Sequence, residues 1–489
     1  MPQLSEHTDT AEAIATGAPT LSARLAAFAA ELMPGDVPSE VWSSARWHVA
    51  DSIGVALAGA HPDEEVGRAL ELAAGRWRSS DGTATVLGLV ARTRPEAAAL
   101  LNGALMQALE MDDKHAASLA RPGSTVTPAV LAVAEAEGRS VAEALTAIVA
   151  GYEVMIRLGF VGGKQFLARG YHTSSLLGAF GAAAAVGRLR EVDSAVIADA
   201  LGIAGTFAAG IQESTRTGST SKVLHGGWGA HCGIVAVDLA CSGITGPDSV
   251  LEGDYGFFAS HLAPVDVALD WDRAAVGLGE RWYLPETAFK PYPCCQLLHS
   301  FIEAATSIRA DLAADGVALS SVDRIRAGLA EPGRSLVTLP VDRKTLPGHP
   351  HEARFSLPYV LASALVHGRV DLASFRPLAL VDPQVRQLAS RVVAVDDPES
   401  DYPVHDPAVV EVDAEGRTWR LRVPFHPGSP EAPLGTERVI EKFVTNTGWL
   451  VGAGASDLAR RLADYPDDAL VGDLVSSIPT RSRTKEWQQ

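Results

Sequence analysis

The spacing of hydrophobic residues divides the chain into two kinds of pattern. From about Leu21 to Leu269, apolar residues recur three and four positions apart, as in EEVGRALELAAGRW and SVAEALTAIVAGYEVMIRLG. This period is typical of helices, so the segment predicts one helix after another. Many apolar positions are Ala or Gly, whose small side chains let neighbouring helix backbones pack closely.

After Trp271 proline becomes frequent, and short β-branched runs predict strands in VDRIRAGL, RVVAVDD, AVVEVDA and TWRLRVPF. The segment HEARFSLPYVLASALVHGR predicts a helix among them, so residues 273–432 indicate a separate α+β domain. Helical spacing returns in GTERVIEKFVTNTGWL and SDLARRLADYPDDALVGDLVSSI. We expect residues 433–489 to pack with residues 20–272. The fold class is then mainly α, with the α+β domain inserted into a large all-helical domain.

Composition narrows the class of protein. The chain has 489 residues, 47% of them hydrophobic and 20% charged, which is ordinary for a globular protein and long enough for two cores. A formal net charge of -18 argues against nucleic acid and anionic membrane surfaces as partners. An anionic substrate would therefore need a local positive pocket.

The sequence predicts a protein that is not exported. Its first twenty residues lack a basic start and an apolar stretch, so we expect no signal peptide. The longest uncharged stretch, residues 170–187, is mostly Gly, Ser and Ala and falls short of a membrane span. The four cysteines form no CxxC pair and no disulfide framework. A reducing cytoplasm is the simplest location.

A cluster of charged residues ends the segment LNGALMQALEMDDKH, residues 101–115. Glu110, Asp113 and Lys114 fall at helical spacings of three and four, and Asp112 and His115 lie beside them. Such a cluster could hold a substrate or a metal ion. The simpler interpretation is a solvated helix end.

Two further segments combine small polar residues with histidine or lysine. In ARGYHTSSLLGAFG, His172 stands just before an apolar helix whose free N–H groups favour an anion, and an imidazole can move a proton. In QESTRTGSTSKVLHGGWGAHCG, Arg216, Lys222, His225 and His231 lie in a segment suited to a small anion. It is not a Walker A sequence. The alternatives are a structural histidine and a glycine-rich surface turn.

The segment AFKPYPCCQLLHSFIEAA leads from prolines into a helix that carries His299. No base is evident beside Cys294 or Cys295, so we favour a packing role for each thiol. The chain contains no GxSxG, HExxH or Rossmann motif.

These segments, in this order, resemble the MmgE/PrpD family, which includes 2-methylcitrate dehydratases, cis-aconitate decarboxylases and iminodisuccinate epimerases. HVADSIGVALAGA near residue 48, CSGITGPDSVLEGDYGFF near 241 and EARFSLPYVLASALVHGRV near 352 add to the resemblance, which covers about residues 20 to 450. The resemblance implies a large helical domain built from both ends of the chain, an inserted α+β lid domain and a homodimer. It also implies a basic active site between the domains that needs no metal or organic cofactor.

The resemblance assigns roles to individual residues. The histidine of the family's Gly-aromatic-His motif matches His172, and the lysine of its Gly-Ser segment, which includes Ser219, matches Lys222. The family's acidic-aromatic-Asp-Asp-Thr segment aligns with residues 110–114, so its threonine becomes Lys114. The usual His-Pro appears as Arg121-Pro122, and a histidine of the decarboxylases falls on Cys295. These departures argue against a decarboxylase and against methylcitrate itself as the substrate.

We therefore predict a lyase that moves a proton next to a carboxylate of a small di- or tricarboxylate, most simply a 2-methylcitrate dehydratase-like hydro-lyase. A carbanion next to a carboxylate needs cations to absorb its charge and a group near neutral pKa to carry its proton. The predicted catalytic residues are His172, Lys222 and Asp113. The predicted substrate-binding residues are Glu110, Lys114, Arg121, Arg216, Ser219, Cys295 and His299.

Three alternatives remain open. A cis-aconitate-type decarboxylase or an iminodisuccinate-type epimerase passes through a similar carbanion-like state on the same scaffold. A catalytically silent relative would only bind a carboxylate, although the presence of His172 and Lys222 counts against it. A metal-dependent hydrolase would need Asp112, Asp113, His115 and His172 to converge on one ion.

Overall fold

The computed structural model describes residues 19–263, 269–331, 333–402 and 404–481, except for the side chain of Arg216. The fold is mainly α, as predicted, with a large helical domain and a smaller lid domain. One large hydrophobic core lies in the helical domain, and a second lies in the lid domain. The boundaries 20–272, 273–432 and 433–489 stay predictions.

The helical domain begins with eleven helices and the short helix α12. They are α1 (Leu21–Glu31), α2 (Ser39–Gly59), α3 (Glu65–Trp77), α4 (Pro95–Gln107), α5 (Val126–Glu137), α6 (Val141–Ala168), α7 (Thr173–Leu189), α8 (Ser194–Phe207), α9 (Glu213–Thr217), α10 (Leu224–Cys241), α11 (Phe257–Leu262) and α12 (Asp272–Ala275). Every residue of α7 is buried, so this helix forms the centre of the domain.

Glycine and alanine let these helices approach one another closely, as their abundance in the sequence predicts. A Cβ atom added at Gly103 of α4 would lie 2.6 Å from the Cα of Gly227 in α10. Only hydrogen fits there, so the two helices cross at their glycines. Helix α6 is long and apolar enough to cross a membrane by length and composition, yet 94% of its most apolar window is buried inside the protein.

The helical domain also contains two short strands, which the sequence analysis did not predict. Two short strands, β1 (Ala84–Thr85) and β2 (Arg92–Thr93), pair as an antiparallel ribbon between α3 and α4. The turn between them includes Gly88 at a φ of 73°, which glycine adopts without steric cost. Each strand has only two residues, too few to give an alternating pattern in the sequence.

The lid domain is built on a four-stranded sheet in the order β4-β3-β5-β6. The four predicted runs all form strands: β3 (Val322–Gly328), β4 (Val392–Val395), β5 (Ala408–Ala414) and β6 (Arg417–Val423). β3 is parallel to β4 and antiparallel to β5, and β5 and β6 form a hairpin. The lid helices are α13 (His299–Ala314), α14 (Gly333–Thr338), α15 (Val341–Thr345), α16 (Pro350–Ala353), α17 (Leu357–His367) and α18 (Pro383–Ala389).

The predicted helix in HEARFSLPYVLASALVHGR is two helices in the structure. Helix α16 ends at Ala353 and α17 begins at Leu357. The Ser356 hydroxyl accepts a hydrogen bond from the backbone N–H of Tyr359, which caps the start of α17. Pro358 then occupies the first turn, where its missing N–H does no harm.

Three final helices return to the helical domain: α19 (Thr436–Val451), α20 (Ala455–Ala463) and α21 (Val471–Ser476). Ile440 and Phe443 of α19 belong to the helical core. The ammonium of Lys442, on the same helix, forms a buried ion pair with Asp51 of α2 at 2.7 Å. Both ends of the chain therefore build the helical domain, and the lid domain lies between them in sequence.

Candidate active site

The loop after α4 carries the first acidic group of the site. Helix α4 ends at Gln107, and Glu110 has a left-handed backbone with a φ of 56°. That conformation costs a non-glycine residue roughly 1–2 kcal/mol, so the surrounding structure must hold it. The Glu110 carboxylate forms a buried ion pair with the Lys222 ammonium. The two residues lie 112 positions apart in the chain, so only the fold brings them together.

Lys222 stands on a single 3-10 turn, Thr220–Val223, directly before α10. Burial lowers the pKa of its ammonium, and the Glu110 carboxylate opposes that effect. Burial alone would raise the pKa of Glu110, but Lys222, Lys290 and Arg121 together lower it to about 2. Glu110 is therefore ionised at neutral pH, and its charge offsets that of Lys222.

His172 is the N-cap residue of α7, and its imidazole is buried. Arg121 Nη1 donates a hydrogen bond to His172 Nε2 at 3.2 Å. Because a guanidinium can only donate, the proton of a neutral His172 ring lies on Nδ1, which donates to Nδ1 of His225 at 3.0 Å. Burial, followed by Lys222 and Arg121, lowers the pKa of His172 well below its usual value. A neutral imidazole therefore stands beside cations.

We call Glu110, Arg121, His172, Lys222 and His225 the helical wall of the site. Burial, with Lys222, also lowers the pKa of His225 to about 4. Each member of this wall has a charged or hydrogen-bonding partner in the same wall. Its polar groups therefore hold one another in place before any substrate binds.

The lid domain supplies Lys290, Cys295 and His351, which we call the lid wall. Lys290 is 1% exposed, and its ammonium has no hydrogen-bond or ion-pair partner among the described side chains. Its charge lowers the pKa of both Glu110 and His172, so it acts on the helical wall. Burial raises the pKa of the half-buried Cys295 thiol. The sequence analysis singled out neither Lys290 nor His351.

The contacts of Asp113 described here are with residues outside both walls. Its carboxylate accepts hydrogen bonds from the backbone N–H of Gly123 and from the Tyr152 hydroxyl, both at 2.8 Å. Nδ1 of His48 lies 3.0 Å from the same carboxylate. These contacts fix the turn that carries Arg121. In the structure, Asp113 orients neighbouring groups, and the catalytic role predicted for it stays a prediction.

Lys114 makes an ion pair across the two domains. Its ammonium lies 3.5 Å from a carboxylate oxygen of Asp406 in the lid domain, and both side chains are buried. Nδ1 of His426 lies 4.0 Å from the same oxygen. His299 is also buried, and its ring centroid lies 6.3 Å from that of His426. Its Nε2 lies 3.3 Å from the backbone oxygen of Cys294, and burial lowers its pKa well below the usual value. These groups extend the buried polar interface beyond the lid wall.

Two of the predicted substrate-binding residues belong to neither wall as the walls are defined here. Ser219 is exposed, and its hydroxyl lies 3.1 Å from that of Ser221. Arg216 stands in α9, but its side chain lies outside the described part of the structure. A surface groove of about 710 Å³, lined by residues that include Trp42 and Trp47, shares no residue with either wall.

The residues proposed for a metal site do not converge. His115 Nδ1 lies 2.9 Å from the Ser118 hydroxyl, and its Nε2 lies 3.8 Å from Glu286. Asp112 instead accepts hydrogen bonds from Gln107 and Ser124. Within residues 19–263, 269–331, 333–402 and 404–481, no three His, Cys, Asp or Glu side chains are grouped as metal ligands.

Comparison with known proteins gives the family. The sequence model of the MmgE/PrpD N-terminal domain matches residues 23–270, and that of the C-terminal domain matches residues 292–464. The chain belongs to the MmgE/PrpD family. The first of these matches covers the helical wall, and the second covers Cys295 and His351 of the lid wall.

Curated members of the MmgE/PrpD family resemble the chain along most of its length. The cis-aconitate decarboxylase of Aspergillus terreus (strain NIH 2624 / FGSC A1156) is 28% identical over 88% of this chain and 89% of its own. The human cis-aconitate decarboxylase is 29% identical over 81% and 83%. The cis-aconitate decarboxylase-like protein oryM of Aspergillus oryzae is 29% identical over 79% and 81%. These findings support a lyase that processes an organic acid.

Proposed function

We propose that the protein is a cofactor-independent carboxy-lyase that decarboxylates cis-aconitate or a closely similar unsaturated tricarboxylate. The observation that carries the proposal is a group of cations: the buried Lys290 ammonium, which forms no hydrogen bond or ion pair with a described side chain, acts on the same wall that contains Lys222 and Arg121. Buried cations repel one another, and an anionic substrate would add the negative charge that stabilises them. The names of the relatives support cis-aconitate as that substrate.

The reaction needs little beyond charge stabilisation and one proton. When carbon dioxide leaves, the electron pair of the broken C–C bond forms a new double bond. The pair of the old double bond moves to the carbon next to another carboxylate, and that carbon takes a proton. Before protonation, the extra negative charge spreads onto that carboxylate. Lys290 and Arg121 supply cations for this charge, which fixed groups in a buried site stabilise far better than water does.

His172 is the proposed proton donor. In the ligand-free protein its pKa is lowered well below the usual value by burial and by Lys222 and Arg121. A bound polyanion opposes those cations and draws Arg121 towards itself, and both effects raise the affinity of the imidazole for a proton. His172 can then take a proton with the substrate and deliver it to the carbanion carbon.

The hydro-lyase favoured by the sequence remains the second candidate. Burial raises the pKa of the Asp112 carboxyl, and one of its oxygens has no hydrogen-bond partner among the described residues. A raised pKa makes the Asp112 carboxyl a better proton donor for a departing hydroxyl than an ordinary carboxylate would be. The two reactions differ in their product, since only the carboxy-lyase releases carbon dioxide.

The test is a substrate panel in heavy water that contains cis-aconitate, citrate and 2-methylcitrate, followed by NMR and by trapping of carbon dioxide. We expect cis-aconitate to give carbon dioxide and an unsaturated dicarboxylate with one deuterium on the methylene carbon that took the proton. Gain or loss of water without carbon dioxide would instead support the hydro-lyase. Recovery of all three acids unchanged, with no deuterium incorporated, would refute both enzymes.

We also propose that the protein is a homodimer, as the family resemblance implies, and that it is located in the cytoplasm, which its cysteine pattern favours. Light scattering after size exclusion gives the oligomeric state directly. A mass of one chain, 51.3 kDa, would contradict the dimer.

A further inference from the structure

The lid helix α16 holds a histidine whose ring satisfies none of its hydrogen bonds. His351 is 2% exposed, and neither Nδ1 nor Nε2 has a hydrogen-bond partner among the described residues. A neutral imidazole has one donor and one acceptor, and leaving such a group buried without a partner costs about 1–3 kcal/mol. Native proteins keep few such groups, so this one needs a physical reason.

The His351 ring and the Lys222 ammonium of the helical wall both contact the ring of Phe355. The centroid of its ring is 5.5 Å from that of Phe355, and the Lys222 ammonium lies 5.1 Å from the centroid of the same Phe355 ring. His351 also interacts electrostatically with Glu110 and Lys222. The unpartnered imidazole and the helical wall therefore meet at Phe355.

Several contacts from the same lid segment hold His351 at this place. His349 caps α16, accepting from the backbone N–H of His351 at 3.2 Å, and its Nε2 donates to Glu65 of α3 at 2.7 Å. The Arg354 guanidinium lies 3.4 Å from Glu64. Arg343 donates to the backbone oxygen of Thr217 in α9 at 3.1 Å. These contacts join the lid to the helical domain around His351, so the position of the ring is set by the packing of the two domains.

We propose that His351 is a specificity-determining residue, a neutral hydrogen-bond donor from the lid that binds a carboxylate of the substrate away from the reacting carbon. Burial lowers the pKa of His351 to about 3, which keeps the ring neutral at pH 7. A neutral N–H can bind a carboxylate without adding another cation beside Lys222 and Lys290. The inference rests on the proposed function for the class of substrate, an acid with more than one carboxylate.

The test measures binding rather than turnover, so that it is separate from the test of the reaction. Isothermal titration calorimetry compares tricarballylate, which has three carboxylates, with glutarate, which has two on a chain of the same length. In the unchanged protein we expect tricarballylate to bind more tightly. His351→Leu should weaken tricarballylate by ~10-fold, the usual effect of losing a hydrogen bond to a charged group, and glutarate by less.

A matched control is His367→Leu. His367 is a lid histidine at the far end of α17, and its Nε2 lies 3.6 Å from Asp382. It should leave both affinities unchanged. His351→Gln keeps an N–H donor and should recover part of the affinity, which a merely structural histidine would not predict. It also serves as the test variant if His351→Leu does not fold.

Equal losses for both acids, or no loss for either in a folded variant, would overturn the inference. If the protein releases no carbon dioxide but the selectivity between the two acids depends on His351, the reaction is wrong and this inference stands.

Discussion

In the helical wall, each side chain has a partner from the same wall: Lys222 pairs with Glu110, and Arg121, His172 and His225 form a chain of hydrogen bonds. In the lid wall, neither Lys290 nor His351 has a hydrogen-bond partner among the described residues. Hydrogen bonds within a wall hold its side chains in place before a ligand binds, whereas unpartnered groups gain most from a ligand. We infer that the helical wall orients the proton donor His172 and that the lid wall mainly binds the anion.

The strongest test of this division is His172→Ala, which removes the proposed proton donor. We expect kcat to fall by ~10³-fold, the middle of the range for loss of general acid or base catalysis, while the fold stays intact. Steady-state kinetics and thermal unfolding check both statements. His231→Ala is the matched control, because that ring stacks on Trp228 outside the two walls. Near-normal turnover in the His172 variant would show that His172 is not the proton donor and that the helical wall does not perform this step.

The second test is Lys290→Met, which keeps the length of the side chain and removes its charge. We expect kcat/KM to fall by ~10²-fold or more, because a fixed cation that stabilises developing charge is worth that much. Stability should change little, since the Lys290 ammonium forms no hydrogen bond or ion pair with a described side chain and its removal creates no unpaired hydrogen-bonding group. The exposed Lys164→Met serves as the control. A marked loss of stability with unchanged kinetics would contradict the assignment of Lys290 to the anion.

The third test exploits the ion pair inside the helical wall. Lys222→Met leaves the Glu110 carboxylate buried without its partner, and we expect the free energy of unfolding to fall by ~3–5 kcal/mol. Adding Glu110→Gln removes the uncompensated charge and should restore most of the stability but not the activity. Urea unfolding and turnover of the single and double variants separate the two effects. A double variant no more stable than Lys222→Met would show that the pair is not coupled.

The smallest expected effect is on the pH dependence of stability. The pKa of His225 is lowered to about 4 and that of His351 to about 3, both below the ordinary value of 6.5. Below pH 6.5 the unfolded chain therefore binds protons that the folded protein does not, and stability decreases as pH falls from 6.5 towards 4. Replacing either histidine by Gln should lower this slope by about 1.4 kcal/mol per pH unit. Unfolding curves at four pH values measure it, and an unchanged slope would mean that the replaced ring is not buried in its neutral form.

Much of the fold could be predicted because its signals are local. The four lid strands have β-branched runs, and the return of helical spacing near residue 433 indicates the C-terminal helices. The ribbon of β1 and β2 was missed because strands of two residues have no period. The break at residues 354–356 was also missed, although Ser356 and Pro358 are a recognisable helix start.

The sequence pointed to some residues of the site and not to others. His172 and Lys222 stood out because a histidine before an apolar helix and a lysine in a Gly/Ser segment are local patterns. Lys290 lies in a segment that was considered for its pair of cysteines, and His351 lies in a segment that was considered as a helix. Nothing near them in sequence signals that they are buried without partners, because burial depends on residues far along the chain.

The sequence by itself determined which parts are helical and which are α+β, and it supplied the small residues between the helices. It also determined which side chains are available to act on an organic acid. Each of these follows from spacing or composition along a short stretch. The tertiary structure alone decided which groups meet: Glu110 with Lys222, Arg121 with His172, and Lys114 with Asp406. Charges interact through space, and the pKa of a buried group depends on every charge around it. The partnered and unpartnered walls therefore exist only once the lid is packed on the helical domain.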